Sequence, residues 1–537
     1  MNQRQGAQMK APGGRRRPGK GLHGRGLVAV GAAAAVLAPV AFTVTTAGPA
    51  GAAPSNANPN GVLKYGYDLN NQFSNNFDTT GLNDCSYTVT QNIFQSMTAP
   101  GNFAISGGVA QSWTVSNNSS TITFHIRPGM VFSNGAPVTS QDVVASLNHT
   151  KSSPLRSSLT AIDTMTTPDA QTLVVNLNRP TAGDFLWAMT YIDGMIQPAA
   201  NIGNASTQPI GAGPYTLKSY KQSSSIILAK NPKYWNSAAY PLGGVNFTQL
   251  TQGPQAATAL TSGAVDMIQV EPENYPQLAA DPNIGISTTK SYDNMAIELR
   301  QNTGPFANAK VRVALEYAVD RNALNKVVFN GLGEPAYQPV PTWSPGYSKS
   351  LGISDAYNPA KSKALLKAAG YKNGVSFDLI IPAGDATFQR ASALLQQELA
   401  AAGFKATIQQ IPGSDFLTDV YIKGQGDALL SEILTDGADM SNAFESLFEA
   451  SGFQAQHLGS INPQLTPLIQ QSNASLSPTV QGPLMQQIDK IVLAQGLVVP
   501  LVFMPSIIAY NKQKVGGKVV APIGQCRSNL AGIYIKK

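Results

Sequence analysis

Helical and extended segments alternate beyond about residue 295, and this pattern constrains the fold more than any other feature of the sequence. Apolar spacing and the positions of Gly and Pro predict helices at 311–319, 359–369 and 389–402 and strands at 375–381 and 405–411. Strands separated by helices of this length are typical of an α/β architecture. On the first helix, Arg312, Glu316 and Asp320 are spaced i,i+4 on the face opposite the apolar stripe.

The first half of the chain has a different pattern, in which short strands are separated by turns. Alternating apolar residues predict strands at Thr121–Arg127, Thr172–Leu177 and Ile226–Ala229. Thr139 followed three residues later by Asp142 is typical of a capping box that opens a helix. The sequence therefore predicts two lobes of different construction in a chain of 537 residues.

The basic charge of the chain is concentrated at its N-terminus. Residues 1–52 carry seven of the 37 Lys and Arg residues and no acidic residue, so the remainder has 30 basic residues against 30 acidic ones. A neutral body argues against nucleic acid as a partner. The basic segment, the apolar stretch Leu27–Val44 and an Ala-x-Ala site ending at Ala52 predict a signal peptide over 1–52. An uncleaved membrane anchor is the alternative, because eighteen helical residues span about 27 Å.

The chain contains two cysteines, Cys85 and Cys526. In an exported protein an even pair favours a disulfide, although two buried thiols would also fit the sequence. Neither cysteine stands at the cleavage site, where a lipoprotein would be acylated.

The motifs that catalysis or metal binding would require are absent from the sequence. There is no Gly-x-Ser-x-Gly nucleophile elbow, no phosphate-binding loop of the Walker type and no pair of histidines with zinc-ligand spacing. His125 lies among threonines on the polar face of a predicted strand, where a solvated residue is expected. The sequence therefore predicts neither an enzyme nor a metal or other cofactor.

Several segments, in order, resemble the family 5 extracytoplasmic solute-binding proteins, which serve oligopeptide, dipeptide and nickel ABC importers. The matching segments are Phe124–Val143, Gly211–Tyr215, Asn231–Trp235, Ser262–Asp266, Pro305–Arg321 and Asn358–Tyr371. Most of them are expected to build the scaffold, because they consist of turns, helix caps and core aromatics.

The resemblance implies a periplasmic-binding-protein-like α/β fold of cluster C, with two lobes joined by a two-segment hinge. The first lobe would comprise 53–292 with 499–537 returning to it, and the second 293–498. The implied function is to capture a peptide or other small molecule and deliver it to ABC permease subunits outside the cytoplasm. The protein would be a monomer at the cell surface, attached to the membrane only through its permease or an uncleaved leader.

The resemblance also points to ligand-binding residues after the last predicted strand. Thr435–Phe444 is similar to a family segment whose first Asp pairs with the α-ammonium of a bound peptide, and Asp436 takes that position, with Asp439 beyond it. Peptide-binding members carry Trp where this chain has Ile433, and Met440 replaces a Pro. These departures leave an oligosaccharide or a metal chelate as alternative ligands. A secreted hydrolase and a surface receptor without transport are further alternatives.

Overall fold

The computed structural model describes residues 40–41, 54–101, 104–153, 155–351, 357–433, 440–524 and 526–537. The strands are β1 (Val40–Ala41), β2 (Val62–Tyr67), β3 (Gln95–Ser96), β4 (Thr98–Pro100), β5 (Ile105–Gly107), β6 (Ala110–Ser116), β7 (Thr121–Ile126), β8 (Ile162–Asp169), β9 (Thr172–Leu177), β10 (Met195–Ile196), β11 (Tyr215–Lys221), β12 (Ser225–Lys230), β13 (Gly244–Gln249), β14 (Met267–Gln269), β15 (Ile284–Leu299), β16 (Glu334–Pro335), β17 (Val375–Pro382), β18 (Phe404–Ile411), β19 (Ala428–Ile433), β20 (Val498–Asn511), β21 (Val515–Gly516) and β22 (Tyr534–Ile535). The predicted leader lies outside the described residues except for β1, which pairs with Val115 and Thr114 of β6.

The helices complete the mixed α/β fold that the sequence predicts. They are α1 (Tyr87–Thr90), α2 (Ser140–Lys151), α3 (Ala182–Ala188), α4 (Pro254–Thr261), α5 (Tyr275–Ala280), α6 (Ala309–Glu316), α7 (Arg321–Val328), α8 (Pro359–Ala368), α9 (Ala386–Ala401), α10 (Gly413–Phe416), α11 (Ser441–Phe448), α12 (Phe453–Leu458), α13 (Thr466–Asn473) and α14 (Pro478–Gln495). In the described part of the chain, no helix combines the length and apolarity that crossing a bilayer requires.

One large mixed sheet runs through the molecule in the order β11-β12-β13-β2-β14-β20-β15-β19-β17-β18, with β16 attached to β20. Its centre consists of the long antiparallel strands β15 and β20, which have 16 and 14 residues. On one side these two strands lead to β14 and β2, and on the other to β19 and β17. β15 and β20 are therefore the two segments that connect the lobes. A separate sheet in the first lobe has the order β1-β6-β7-β9-β8.

The buried apolar side chains form separate clusters on the two sides of these long strands. One cluster around Tyr65 and Phe247 draws on β2, β11–β13 and residues beyond 508, and another around Phe124 covers the separate sheet. A large cluster around Leu315 and Phe377 draws on residues 295–504. Burial of such side chains contributes about 1.5–3 kcal/mol each, so each side has a core of its own. The lobe boundaries at 292/293 and 498/499 stay a prediction.

Several predicted elements are confirmed by the structure. β9 occupies the residues predicted for it, and Thr139 and Asp142 form a reciprocal capping box at the start of α2. His125 is exposed on β7, as its position beside threonines predicts. Helix α9 begins three residues before its predicted start, because the Asp385 side chain accepts hydrogen bonds from the backbone of Thr387 and Phe388.

The prediction of a single helix over 311–319 with a polar outer face is wrong. Helix α6 ends at Glu316, and Asp320 instead caps α7 by accepting hydrogen bonds from the amides of Asn322 and Ala323. The face that carries Arg312 and Glu316 is covered by other chain segments, so both side chains are buried. Arg312 and Glu316 therefore bind groups outside the helix: Arg312 donates to the carbonyls of Phe306 and Gln495, and Glu316 accepts from Arg321.

Candidate functional site

The pairing of the two long strands is irregular at two places, and the larger interruption lies between Lys290 and Asn294. Lys290 of β15 lies opposite Pro505, whereas Asn294 lies opposite Phe503, so Ser291, Tyr292 and Asp293 face only one residue of β20. We call 291–293 the crossing bulge. Such a bulge interrupts the ladder and bends the strand. The amide of Tyr292 donates instead to the carbonyl of Ile523, at 3.0 Å.

A cavity of about 470 Å³ lies beside the crossing bulge. Its wall contains a high proportion of aromatic side chains, namely Tyr87, Phe94, Trp187, Tyr191, Tyr234, Tyr240 and Tyr292. We call 521–524 and 526–528 the C-terminal strap. Residues 521–524 and Arg527 of the strap form part of the wall. A concave, largely aromatic cavity with a few polar groups is the usual form of a small-molecule site.

An aromatic contact lies beside this cavity. The rings of Tyr292 and Trp343 lie 4.0 Å apart in an edge-to-face arrangement. Trp187 from α3 belongs to the same apolar cluster, together with Ile523 of the C-terminal strap. The predicted boundaries assign Trp187 to the first lobe and Trp343 to the second, and Tyr292 packs in one cluster with both.

The cavity carries one guanidinium group on its wall. Arg527 of the C-terminal strap lies with Cζ 4.1 Å from the ring centroid of Tyr191, a distance typical of a cation–π contact. The ring of Tyr191 is 4.4 Å from that of Tyr87. Burial raises the pKa of Tyr87 to about 12, while the nearby Arg527 opposes this rise. The Tyr87 phenol is therefore neutral, and Arg527 supplies positive charge at this wall.

Four carboxylates gather around Asp293 of the crossing bulge, namely Glu271, Asp293, Asp385 and Glu432, and we call them the carboxylate cluster. Burial raises the pKa of Glu432 well above its ordinary value, and the charges of the other three raise it further. Burial also raises the pKa of Glu271 to about 7, and Asp385 adds to that rise. Groups that repel one another in a partly dry site gain free energy when a cation enters. The cluster is therefore suited to an ammonium group.

The predicted ligand-binding residues lie at or just beyond the end of β19. Asp436 and Asp439 fall in 434–439, outside the described residues, so their role stays a prediction. Ile433 pairs with Asn294 and is only 2% exposed, because it packs in an apolar cluster with Phe444. The structure therefore places Ile433 in the core of the second lobe, and its part in ligand binding also stays a prediction. Its neighbour Glu432 points to the opposite face, as strand alternation requires.

The disulfide question is answered by the positions of the two sulfur atoms. Cys85 and Cys526 are bonded, with their sulfurs 1.96 Å apart. The bond attaches the C-terminal strap to the segment that enters α1. The chain thereby joins two parts of the first lobe that are 441 residues apart in sequence.

The two lobes contact each other in several places away from the hinge strands. Arg179 of the first lobe pairs with Glu445 of the second at 2.6 Å, and Glu273 pairs with Arg390 at 2.8 Å. Gly183 on α3 lies so close to the second lobe that a Cβ atom there would be 2.3 Å from the carbonyl oxygen of Ser475. Segments that the predicted boundaries assign to different lobes are therefore in direct contact.

Comparison with known proteins identifies the family. Residues 104–455, well over half of the chain, match the bacterial extracellular solute-binding proteins, family 5, middle region. The chain belongs to this family. Its members are binding components of ABC importers and act outside the cytoplasm.

Individual family 5 proteins resemble the chain over most of its length. The glutathione-binding protein GsiB of Escherichia coli (strain K12) is 26% identical over 532 residues, which cover 94% of this chain and 98% of GsiB. The fold is similar to that of DppA from Helicobacter pylori in complex with the peptide STSA, with a TM-score of 0.77 and 22% identity. The match covers 89% of this chain and 98% of DppA. The Escherichia coli murein tripeptide binding protein MppA is also similar, with a TM-score of 0.76 and 20% identity. The match covers 90% of this chain and 100% of MppA.

The segments that resemble family 5 serve mainly as scaffold in this structure. The guanidinium of Arg127 lies 3.8 Å from the ring centroid of Trp235, and this contact joins the segment Phe124–Val143 to the segment Asn231–Trp235. The side-chain amide of Asn231 donates to the carbonyl of Gly213 at 2.8 Å, and this bond joins the segment Asn231–Trp235 to the segment Gly211–Tyr215. A Cβ at Gly211 would lie 2.1 Å from the carbonyl oxygen of Ile93, so this turn requires glycine for close backbone approach.

The residues that the sequence did not single out are those of the cavity and of the carboxylate cluster. Arg527 and Glu432 come from segments far apart in sequence, and no local motif connects them. Two sequence signals were present. Arg527 directly follows a cysteine that forms a disulfide, and Glu432 precedes Ile433 in a strand otherwise rich in apolar residues.

Proposed function

We propose that the cleft beside the crossing bulge binds a short peptide, which the protein delivers chemically unchanged to the permease of an ABC importer. One observation carries this proposal: charges of both signs lie beside the crossing bulge. Arg527 lines the same cavity as Tyr292, and the carboxylate cluster gathers around the adjacent Asp293. A short peptide is a zwitterion, and its two ends match these charges. Charge-assisted hydrogen bonds to such ends are the strong ones.

The α-ammonium of the peptide is assigned to the carboxylate cluster and to Asp436. Glu432 lies one residue before the end of β19, and Asp436 follows that end by three residues. The family resemblance also pairs Asp436 with the α-ammonium of a bound peptide. GsiB, DppA and MppA are named or described with peptides as ligands, which supports a peptide here.

An oligosaccharide is the second candidate ligand, because the cavity wall is aromatic. Tyr292, Trp343 and Trp187 form the kind of flat apolar surface on which a sugar ring can pack. A sugar has no need of the carboxylate cluster, and this favours the peptide. A thermal-shift comparison of trialanine, reduced glutathione and maltotriose separates the two ligand classes. Mass spectrometry of the peptides after incubation tests for cleavage, which the proposal excludes.

Binding is expected to compact the protein in solution. A ligand shifts the equilibrium between open and closed lobes by its higher affinity for the closed form. We therefore expect small-angle scattering to show a smaller radius of gyration with saturating trialanine than without it. Identical curves, measured where calorimetry shows the site to be filled, would contradict a closing cleft.

Affinity for a peptide is expected to rise with pH between 5 and 7. Glu271 changes from largely neutral to half ionised over this range, because its pKa is raised to about 7, while the peptide ammonium stays charged. We expect trialanine to bind about fivefold more tightly at pH 7, the equivalent of about 1 kcal/mol for a partly screened charge pair.

Two comparisons isolate the source of this pH dependence. N-acetyl-trialanine lacks the ammonium, so its affinity should not rise with pH. The Glu271→Gln variant should bind trialanine with a flatter profile. An equal rise for the acetylated and free peptides would remove the carboxylate cluster from the account.

A further inference from the structure

The C-terminal strap holds Arg527 in a fixed position at the cavity wall. On one side of it, Cys526 is bonded to Cys85, and the carbonyl of Cys526 accepts a hydrogen bond from the Thr88 hydroxyl at 2.5 Å. On the other side, the carbonyl of Ser528 accepts from the Gln91 side chain at 2.9 Å. Both neighbours of Arg527 are thus fixed to the segment that contains α1.

Further contacts fix the backbone and the side chain at the same place. The Ser528 hydroxyl lies 2.9 Å from that of Tyr65, inside the core of the first lobe. Cys526 has a φ of 58°, a left-handed conformation that a non-glycine residue adopts at a cost of about 1–2 kcal/mol. The side chain of Arg527 folds back over Gly524, since a Cβ at Gly524 would be 3.2 Å from Arg527 Cδ.

The environment of this guanidinium is suited to an anion. Tyr87 and Tyr191 pack beside it with their rings 4.4 Å apart, and both line the cavity with Arg527. Because Arg527 is half-buried and both of its neighbours are fixed, its positive charge is held at the cavity wall with little further loss of conformational entropy on binding an anion. The lining also includes a second cation, Lys518, and the side-chain amides of Gln95 and Asn529.

We propose that Arg527 binds the terminal carboxylate of the ligand, and that the C-terminal strap and its disulfide position it for this contact. The inference rests on the proposed function, because it assigns the second end of the same peptide. It specifies the ligand class further: the ligand carries a free carboxylate, and peptides blocked at the C-terminus are excluded from tight binding. The distance between Arg527 and the carboxylate cluster then sets the length of peptide that can use both.

The test compares trialanine with trialaninamide, which differ only in the C-terminal charge, by isothermal titration calorimetry. We expect the protein to prefer trialanine by about 10- to 100-fold, the range for a charged hydrogen-bonded pair. In Arg527→Gln this preference should disappear, through loss of affinity for trialanine with affinity for the amide retained. Arg527→Lys should keep part of the preference, because the charge remains but the planar fork is lost.

Matched controls separate binding from folding and from general charge. Lys218→Gln removes one positive charge from an exposed strand position in the same lobe and should leave the preference intact. Retained affinity for trialaninamide shows that Arg527→Gln has kept its fold, and thermal unfolding measures this independently.

The possible outcomes have distinct consequences. Equal binding of trialanine and trialaninamide by the unmodified protein would overturn the carboxylate inference while upholding peptide binding. A preference that persists in Arg527→Gln would also overturn it, since the carboxylate would then bind elsewhere. If neither peptide binds, the proposed peptide function fails, and the inference fails with it.

Discussion

Replacing Gly183 with alanine is expected to lower ligand affinity by about 5- to 150-fold without unfolding the protein. A Cβ at this position would lie 2.3 Å from the Ser475 oxygen and 2.7 Å from the Asn473 oxygen, both backbone atoms of the second lobe. Overpacking of this kind costs about 1–3 kcal/mol, and here the cost falls only on the closed form. The open form gains a better helix former in α3.

The same lobe offers a control for this change. A Cβ at Gly203 would meet no heavy atom within 4 Å, so Gly203→Ala should leave affinity for trialanine unchanged. Calorimetry gives the two affinities, and scattering should show that Gly183→Ala stays more extended at saturation. Equal affinities for the two variants would mean that the contact between α3 and the segment after α13 is not required for binding.

Replacing Arg321 with methionine is expected to lower the free energy of unfolding by about 3–5 kcal/mol, because it leaves a buried carboxylate without its partner. Arg321 is fully buried and pairs with Glu316 at 2.5 Å. It also donates to the carbonyl of Pro500 in β20 at 2.6 Å and to that of Glu316 at 3.1 Å. The change thus removes a link between α7 and a strand that joins the lobes.

The loss of stability in Arg321→Met should depend on pH. Burial raises the pKa of Glu316, and Arg321 opposes that rise, so the pKa increases further when the arginine is removed. A raised pKa destabilises the fold above the ordinary pKa of the group, so the variant should lose more stability at pH 8 than at pH 5. Chemical denaturation at both pH values measures this. Lys326→Met, on the exposed face of the same helix, is the control. A similar loss in both variants would contradict the account.

Elements with local signals could be predicted from the sequence. The strand at Thr172–Leu177 alternates apolar and polar residues, and the helix from Pro359 begins with a capping Asn and ends near Gly370, so each pattern specifies its own element. The end of the helix predicted over 311–319 is wrong, because Asp320 caps the next helix and the first helix stops at Glu316. A local pattern gives no information about which distant segment covers a polar face.

The site was harder to predict because its groups are brought together by the long strands. Asp293 and Glu432 become neighbours only through the pairing of β15 with β19, and Glu271 joins them from the first lobe. Arg527 reaches the cavity through a disulfide whose partner lies 441 residues earlier. Family resemblance indicated the segment after β19, but it gave no indication of the opposite wall.

The crossing bulge belongs both to the predicted hinge and to the proposed binding site. The three residues outside the regular ladder interrupt the pairing of β15 with β20, and two of them, Tyr292 and Asp293, belong to the cavity wall and to the carboxylate cluster. Under the proposed function, recognition of the ligand and bending between the lobes therefore depend on the same three residues. A substitution at Tyr292 that retunes selectivity would also retune the stiffness of the joint, so a sensor engineered from this protein would have to optimise both together.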